Sequence, residues 1–465
     1  MSGIPVDILL THGYFLREDE KEMRVMKPYP PLGILYLSSY LKEKGVAASV
    51  YDTTFRSFDE FARFISRTRP PVVGIASNLM TKKSVVRQIA HCVAQGCRVI
   101  VGGPDVPEYA EEYVRTGADA AVVGEGEETA LALLEAISGG DNFCAVAGIA
   151  CRDGEGNIVR TPPRKLIADL DSIPFPDRDA IAMEEYLSAW RGRHGAGSVS
   201  LICARGCPYA CTWCSRSVYG DTHRRRSVKG VVDEIEMIRE RYRPDMLWFA
   251  DDVFTMNHRW FGDFYREMKK RGIRIPFECI SRADRLNEEI LGCMAEIGAF
   301  RIWYGSESGS QRILDAMERK VTIRQIREVT KAAQKFGIQA GLFVMLGYPG
   351  EEIGDIDETA EHLKATNPDS FLTTVAYPIK GTKLYGQVQE KISVPSGWSS
   401  HSDRELRIEG RYSDRFYWFA HRYLVNEVEH HRMRRNGGAT LRARAASFAK
   451  ARLARAGMAL TKGLR

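Results

Sequence analysis

The chain has 465 residues, of which 44% are hydrophobic, 27% charged and 10% aromatic, a composition expected of a globular protein with two or three domains. No run of about 18 apolar residues occurs and the start has no basic-then-apolar leader, so neither a membrane span nor a secretory signal is expected. Ten cysteines are too dilute for a secreted disulfide scaffold, and a reducing cytoplasm is the expected setting.

The net charge of +6 is uneven. Residues 432–465 hold ten Lys and Arg and no Asp or Glu, which leaves the preceding residues at −4. The body is mildly acidic and the tail basic, so the charge balance does not argue for specific nucleic-acid binding.

In chain order, the first 140 residues alternate short apolar runs with amphipathic stretches. "VDILL", "AASVYD", "VVGIAS", "RVIVGG" and "AAVVGEG" read as strands. "PLGILYLSSYLKEKG", "SFDEFARFISRT", "KKSVVRQIAHCVAQG", "PEYAEEYVRTG" and "EETALALLEAIS" read as helices. Nearly wholly apolar strands between helices predict an α/β domain with a doubly wound, Rossmann-like parallel sheet. Ligands of such sheets bind beyond the carboxyl ends of the strands. The residues expected there are Ser77 and Asn78, Gly102 and Gly103, and Gly124, Glu125 and Gly126.

Residues 141–195 read as a hairpin turning at Gly154–Gly156, followed by a proline-marked linker. Alternation resumes over 196–395 with "SVSLIC", "MLWFAD", "PFECIS", "FRIWYGSES", "QAGLFVMLG" and "SFLTTVAYP" as strands. Six strands with helices between them predict a partial (β/α)6 barrel, whose chemistry belongs at the C-terminal strand ends. Residues 396–465 are expected to form a mainly helical extension ending in the basic tail.

"RGCPYACTWCSR", after the first barrel strand, places Cys207, Cys211 and Cys214 within eight residues. In a reducing compartment such a cluster favours metal over a disulfide. Structural zinc wants four ligands, whereas a 4Fe-4S cluster held by three thiolates keeps one iron open for a bound molecule. The iron–sulfur reading is the stronger of the two because the later strand ends also carry polar motifs.

Those motifs, "WFADDVF", "FECISRAD", "YGSESGS", "MLGYPGE" and "YPIKGTKLY", together with "CPYACTWC", resemble the radical S-adenosylmethionine (SAM) enzymes. The order of domains is similar to the branch with an N-terminal cobalamin-binding domain, which includes C-methyltransferases and the anaerobic magnesium-protoporphyrin monomethyl ester cyclase. The resemblance spans roughly residues 5–390. It implies that Cys207, Cys211 and Cys214 hold a 4Fe-4S cluster, whose open iron chelates SAM and whose reduction splits it into methionine and a 5′-deoxyadenosyl radical.

By the same resemblance, Asp251 and Asp252 contact the methionine amino group and Arg282 a carboxylate. Glu307 and Ser308 meet the ribose, and the glycines Gly347 and Gly350 allow close approach to adenine. The aspartates have a helix cap as a structural alternative, Arg282 a salt bridge, and the glycines a strand-to-helix turn. Cobalamin is implied at the first sheet, walled by the small residues at its strand ends. The axial-histidine pattern D-x-H-x-x-G is absent, since Asp52 precedes "TTFRS" and His12 lies in "THGYF"; a corrinoid without a protein histidine ligand is expected.

The implied reaction is cobalamin-dependent methyl transfer to an unactivated carbon, or, alternatively, a cobalamin-assisted oxidation or cyclisation. Either needs an electron donor such as flavodoxin or ferredoxin and a small-molecule or lipid-like substrate. No catalytic acid or base is singled out. The tail, with Leu441, Ala445, Phe448 and Ala449 at helical spacing among arginines, predicts a peripheral contact with an anionic membrane face.

Overall fold

A computed structural model of the chain describes residues 7–140, 142–394, 397–435 and 440–463; Arg465 of the basic tail lies outside them. The chain forms two compact units, one of residues 1–208, 215–248 and 394–406, the other of 209–214, 249–393 and 407–465.

In chain order the first unit holds β1 (Ile8–His12), α1 (Glu20–Val25), α2 (Leu32–Glu43), β2 (Ala48–Tyr51), α3 (Phe58–Thr68), β3 (Val72–Ala76), α4 (Lys82–Ala94), β4 (Arg98–Gly102), α5 (Val106–Arg115), β5 (Ala120–Val122) and α6 (Glu127–Gly139). It continues with β6 (Ile149–Arg152), β7 (Ile158–Arg160), α7 (Met183–His194), β8 (Ser198–Leu201), β9 (Ala204–Arg205), β10 (Arg224–Arg225), α8 (Val228–Arg241) and nearly all of β11 (Met246–Phe249).

The main sheet has the order β2-β1-β3-β4-β5-β6-β7. Its first five strands are parallel, and β6 and β7 add an antiparallel edge. The hairpin expected in the linker is therefore part of this sheet. β1 is buried along its whole length because helices cover both faces, which is why its sequence is continuously apolar rather than alternating. Phe61, Ile65, Val85, Ile89 and Tyr113 from α3, α4 and α5 pack one face. Ile34, Leu41, Leu133 and Leu134 from α2 and α6 pack the other. Helix α3 shows the local logic: Ser57 and Glu60 form a reciprocal capping box. Its buried Phe61 and Ile65, four residues apart, each contribute about 1.5–3 kcal/mol by leaving water.

The second unit holds α9 (His258–Lys270), β12 (Phe277–Ser281), α10 (Glu288–Ile297), β13 (Ala299–Glu307), α11 (Gln311–Ala316), α12 (Ile323–Lys335), β14 (Gln339–Leu346), α13 (Ile353–Thr366), β15 (Ser370–Val375), α14 (Lys383–Val388), α15 (Asp414–Arg435) and α16 (Leu441–Thr461). Strands β12 to β15 pair in parallel and in chain order, with Ser281 opposite Tyr304, Tyr304 opposite Leu342 and Leu342 opposite Phe371. The register shifts between Gly305 and Glu307, and Glu307 adopts φ 55°. Such a bulge inserts one residue and re-aims the side chain that follows it. The tail is a folded hairpin: α15 packs on α13, and α16 packs on α15. Among the described residues no helix is long and apolar enough to cross a membrane.

Candidate functional site

In the first unit a cavity of about 800 Å³ opens at the carboxyl ends of the parallel strands, around the β1/β3 position where the strand order reverses. Open α/β sheets bind ligands at such a switch point. The cavity gathers Ser77, Asn78, Gly102, Gly103, Gly124, Glu125 and Gly126 along one wall. Their contributions differ. A Cβ at Gly126 would meet no atom within 4 Å, and one at Gly102 only Val122 at 3.6 Å, so these glycines leave open space. Gly103 has φ 108°, and a Cβ there would lie 2.4 Å from the Ser77 carbonyl oxygen; it is small so that two strand-end loops can touch.

The polar side chains of that wall serve the scaffold. The Ser77 hydroxyl bonds Tyr113 at 2.7 Å. The Asn78 side chain accepts from the amides of Met80 and Thr81 at 2.9 and 3.2 Å. Glu125 accepts from the Ile167 amide at 2.7 Å and from the guanidiniums of Arg205 at 2.8 Å and Arg224 at 2.9 Å. These three side chains therefore shape the cavity through bonds to the protein.

His12 also lines the cavity. Its Nε2 lies 2.9 Å from Asp52, and its Nδ1 accepts from the Tyr14 amide at 3.2 Å. Burial alone would push the Asp52 carboxyl up, but bonding to His12, Thr54 and Tyr186 holds it down at about 2. Both ring nitrogens are engaged. An apolar cavity of this size with open glycine walls fits a large flat macrocycle.

In the second unit the loop 209–214 meets the ends of β12 and β13. The Cys211 thiol is drawn down to about 5, first by the hydrogen bond from Cys214 and then, against burial, by Arg319 and Arg282. Each guanidinium places a nitrogen 3.7 Å from the Cys211 sulfur. Guanidiniums so placed favour the thiolate, the form that ligates metal. Among the described residues no three His, Cys, Asp or Glu side chains are already gathered into a metal cage. Cys211 and Cys214 meet; Cys207 belongs to the other unit. In kind the donors fit an iron–sulfur cluster.

Arg282 ends β12 as expected but is fully engaged: Nε donates to Asp284 at 2.8 Å and Nη2 to the Arg319 carbonyl at 2.8 Å. Tyr209 lies flat against this guanidinium, 3.5 Å from ring centre to carbon, and donates to Asp284 at 2.8 Å. Glu307, aimed by the bulge, lies 3.8 Å from Arg319. Burial pushes its carboxyl up to about 7, opposed by that arginine. A Cβ at Gly305 would strike both side chains, so the "YGSE" glycine makes room for this pair.

Other expected positions take scaffold roles. Ser308 turns its hydroxyl to Thr359 and to the Ser310 amide. Gly347, at φ 75°, allows close approach, but the group that approaches is the Tyr417 ring of α15. Gly350 offers its carbonyl to Arg312 at 3.0 Å. Asp251 is buried and Asp252 exposed just after β11. Trp213, between Cys211 and Cys214, packs against the Ile313, Met317 and Tyr348 core. Arg319 was not foreseen. It lies off any strand end, and positive φ at both Glu318 and Lys320 turns the chain so that its side chain enters the site.

Residues 201–363 match the Radical SAM superfamily and residues 24–134 the B12 binding domain. The chain is 32% identical to an uncharacterized methyltransferase of Pyrococcus horikoshii, over 77% of this chain and 78% of that protein. It is 28% identical to the anaerobic magnesium-protoporphyrin IX monomethyl ester cyclase of Rubrivivax gelatinosus, over 79% and 67%. The fold is shared with the radical SAM methyltransferase TsrM of Kitasatospora setae, solved with cobalamin and a 4Fe-4S cluster. That likeness has a TM-score of 0.70 at 17% identity and covers 84% of this chain and 76% of that one. The cofactors that these two domains take are a 4Fe-4S cluster, SAM and cobalamin. The chain thus belongs to the radical SAM superfamily, in the branch that carries a B12-binding domain.

Proposed function

We propose that the protein is a cobalamin-dependent radical methyltransferase that modifies an unactivated carbon of a small-molecule or lipid-like substrate. The observation that carries this reading is the glycine-walled cavity at the β1/β3 switch, in a chain that also has the three-thiol loop. When bound, the cluster supplies the electron that cleaves SAM, and cobalamin supplies cobalt as a methyl carrier.

The chain's own residues have separable tasks. Cys207, Cys211 and Cys214 would hold the iron. With the hydrogen bond from Cys214, Arg319 and Arg282 favour the Cys211 thiolate. Glu307, buried beside Arg319, offers a carboxylate that can accept from vicinal hydroxyls such as those of a ribose. Asp251 and Asp252 would meet an ammonium group. Gly102 and Gly126 would leave room for the corrinoid, and His12 is tied to Asp52. Flavodoxin or ferredoxin is the proposed electron donor.

A second reading, cobalamin-assisted cyclisation or oxidation without methyl transfer, is favoured by the similarity to the Rubrivivax cyclase. Product analysis separates the two. The protein is reconstituted anaerobically with iron, sulfide, cobalamin, SAM and a low-potential reductant, and products are read by mass spectrometry. Methyl transfer predicts both S-adenosylhomocysteine and 5′-deoxyadenosine, with deoxyadenosine lost in Cys211→Ala. Deoxyadenosine without any S-adenosylhomocysteine or methylcobalamin rejects the methyltransferase reading in favour of the second.

A further inference from the structure

The outer face of the C-terminal hairpin carries a surface that the chemistry does not use. Helix α16 turns Ser447, Ala451, Ala454, Met458 and Thr461 inward. These positions recur every three or four residues, and a helix with that period has one inward stripe. Gly457 completes the stripe, where a Cβ would strike the Phe419 ring of α15. The large apolar side chains of α16 point the other way: Leu441, Leu453 and Leu460 are 83%, 69% and 82% exposed and Phe448 49%. Leu441 and Phe448 are seven residues apart, as are Leu453 and Leu460, so each pair lies along one side two turns apart, and the second pair stands about 120° around the helix from the first, on the other flank of the outward face. From Leu441 to Leu460 these exposed side chains span about 28 Å of the helix.

Its charge is of one sign. No Asp or Glu occurs from residue 432 onward. Two acids pair with the helix, Glu427 with Arg452 and Asp357 with Arg455. Arg442, Lys450 and Lys462 stand exposed around the leucines. Helix α16 is held in place by those two ion pairs and by its packing on α15, so the face is presented ready-formed.

We infer that this face docks on an anionic lipid surface, with the leucines entering the headgroup boundary and the arginines and lysines meeting lipid phosphates. An outward helix face with exposed leucines, whose own charged residues are all cations, is complementary to such a surface. A second copy of the same face would bring like charges together. The inference is independent of the reaction catalysed.

The test uses the full chain and sedimentation with vesicles of phosphatidylcholine containing about 30% phosphatidylglycerol. Binding at low ionic strength, weakened by salt and at least tenfold weaker to pure phosphatidylcholine, is expected. The variant Leu441→Glu/Leu453→Glu/Leu460→Glu, altered only at exposed positions and checked for an unchanged melting temperature, should bind the anionic vesicles at least tenfold more weakly. No binding at low salt, equal binding by wild type and variant, or equal binding to both vesicle types overturns the inference. So does self-association that the same variant abolishes in the absence of lipid binding.

Discussion

Arg319 shows how one side chain acquires a role its local sequence does not announce. In "MERKV" it reads as one charge among three, yet the backbone on either side has positive φ and the guanidinium is buried against Cys211 and Glu307. Hydrogen bonds and positive charge at a cluster's sulfur ligands raise its reduction potential. Arg319→Gln is therefore expected to retain its full iron content while the cluster's midpoint falls by some tens of millivolts. Arg319→Lys should recover part of the difference. An electron-paramagnetic-resonance redox titration measures this; an unchanged midpoint with unchanged iron would show that Arg319 only fills space. Arg282, locked by Asp284 and the Arg319 carbonyl, positions this arginine as well as touching Cys211.

The elements that build the cavity are the loops after β3, β4 and β5, and their glycines are not equivalent. Gly103 is required by the approach of two backbones at φ 108°. Gly103→Ala should destabilise the first unit by about 1–3 kcal/mol, seen as a lower melting temperature with or without corrinoid. Gly126 caps α6 with ordinary φ of −89° and faces open space. Gly126→Phe should leave the melting temperature within a degree or two and weaken cobalamin uptake by about tenfold or more, read from the absorbance of retained corrinoid. A Gly126→Phe protein with full cobalamin occupancy would place the corrinoid elsewhere.

For the whole molecule, the contacts within the first unit argue against treating residues 1–140 as a detachable module. Arg205 and Arg224, on β9 and β10, are bound to Glu125, and Arg205 also to Glu127. Asp403, far along the chain, accepts from Tyr109 at 2.6 Å, and Trp398 packs on Tyr113. Removing one partner of a buried ion pair costs about 3–5 kcal/mol, and truncation removes several at once, two residues before Cys207. A chain of residues 141–465 is expected to be largely insoluble and to take up little iron. A soluble truncated protein with a cooperative melt and a full cluster would restore the modular picture.

The sequence by itself determined what is local. Strand–helix alternation, the capping of α3 by Ser57 and Glu60, the glycines at strand ends and the three-thiol spacing all rest on neighbours a few residues apart, where period and turn chemistry apply. The strand at each of the five N-terminal and six barrel positions was legible for the same reason. Tertiary structure decided what depends on distant partners. It joined the 149–160 hairpin to the first sheet, gave Glu125 to Arg205 and Arg224, filled the approach at Gly347 with Tyr417, and brought Arg319 to Cys211. It also chose which side of α16 is buried: Ala and Gly face α15 closely while the leucines remain outside. Such pairings carry no local period, because their energy comes from desolvation and charge matching between segments that only the fold brings together.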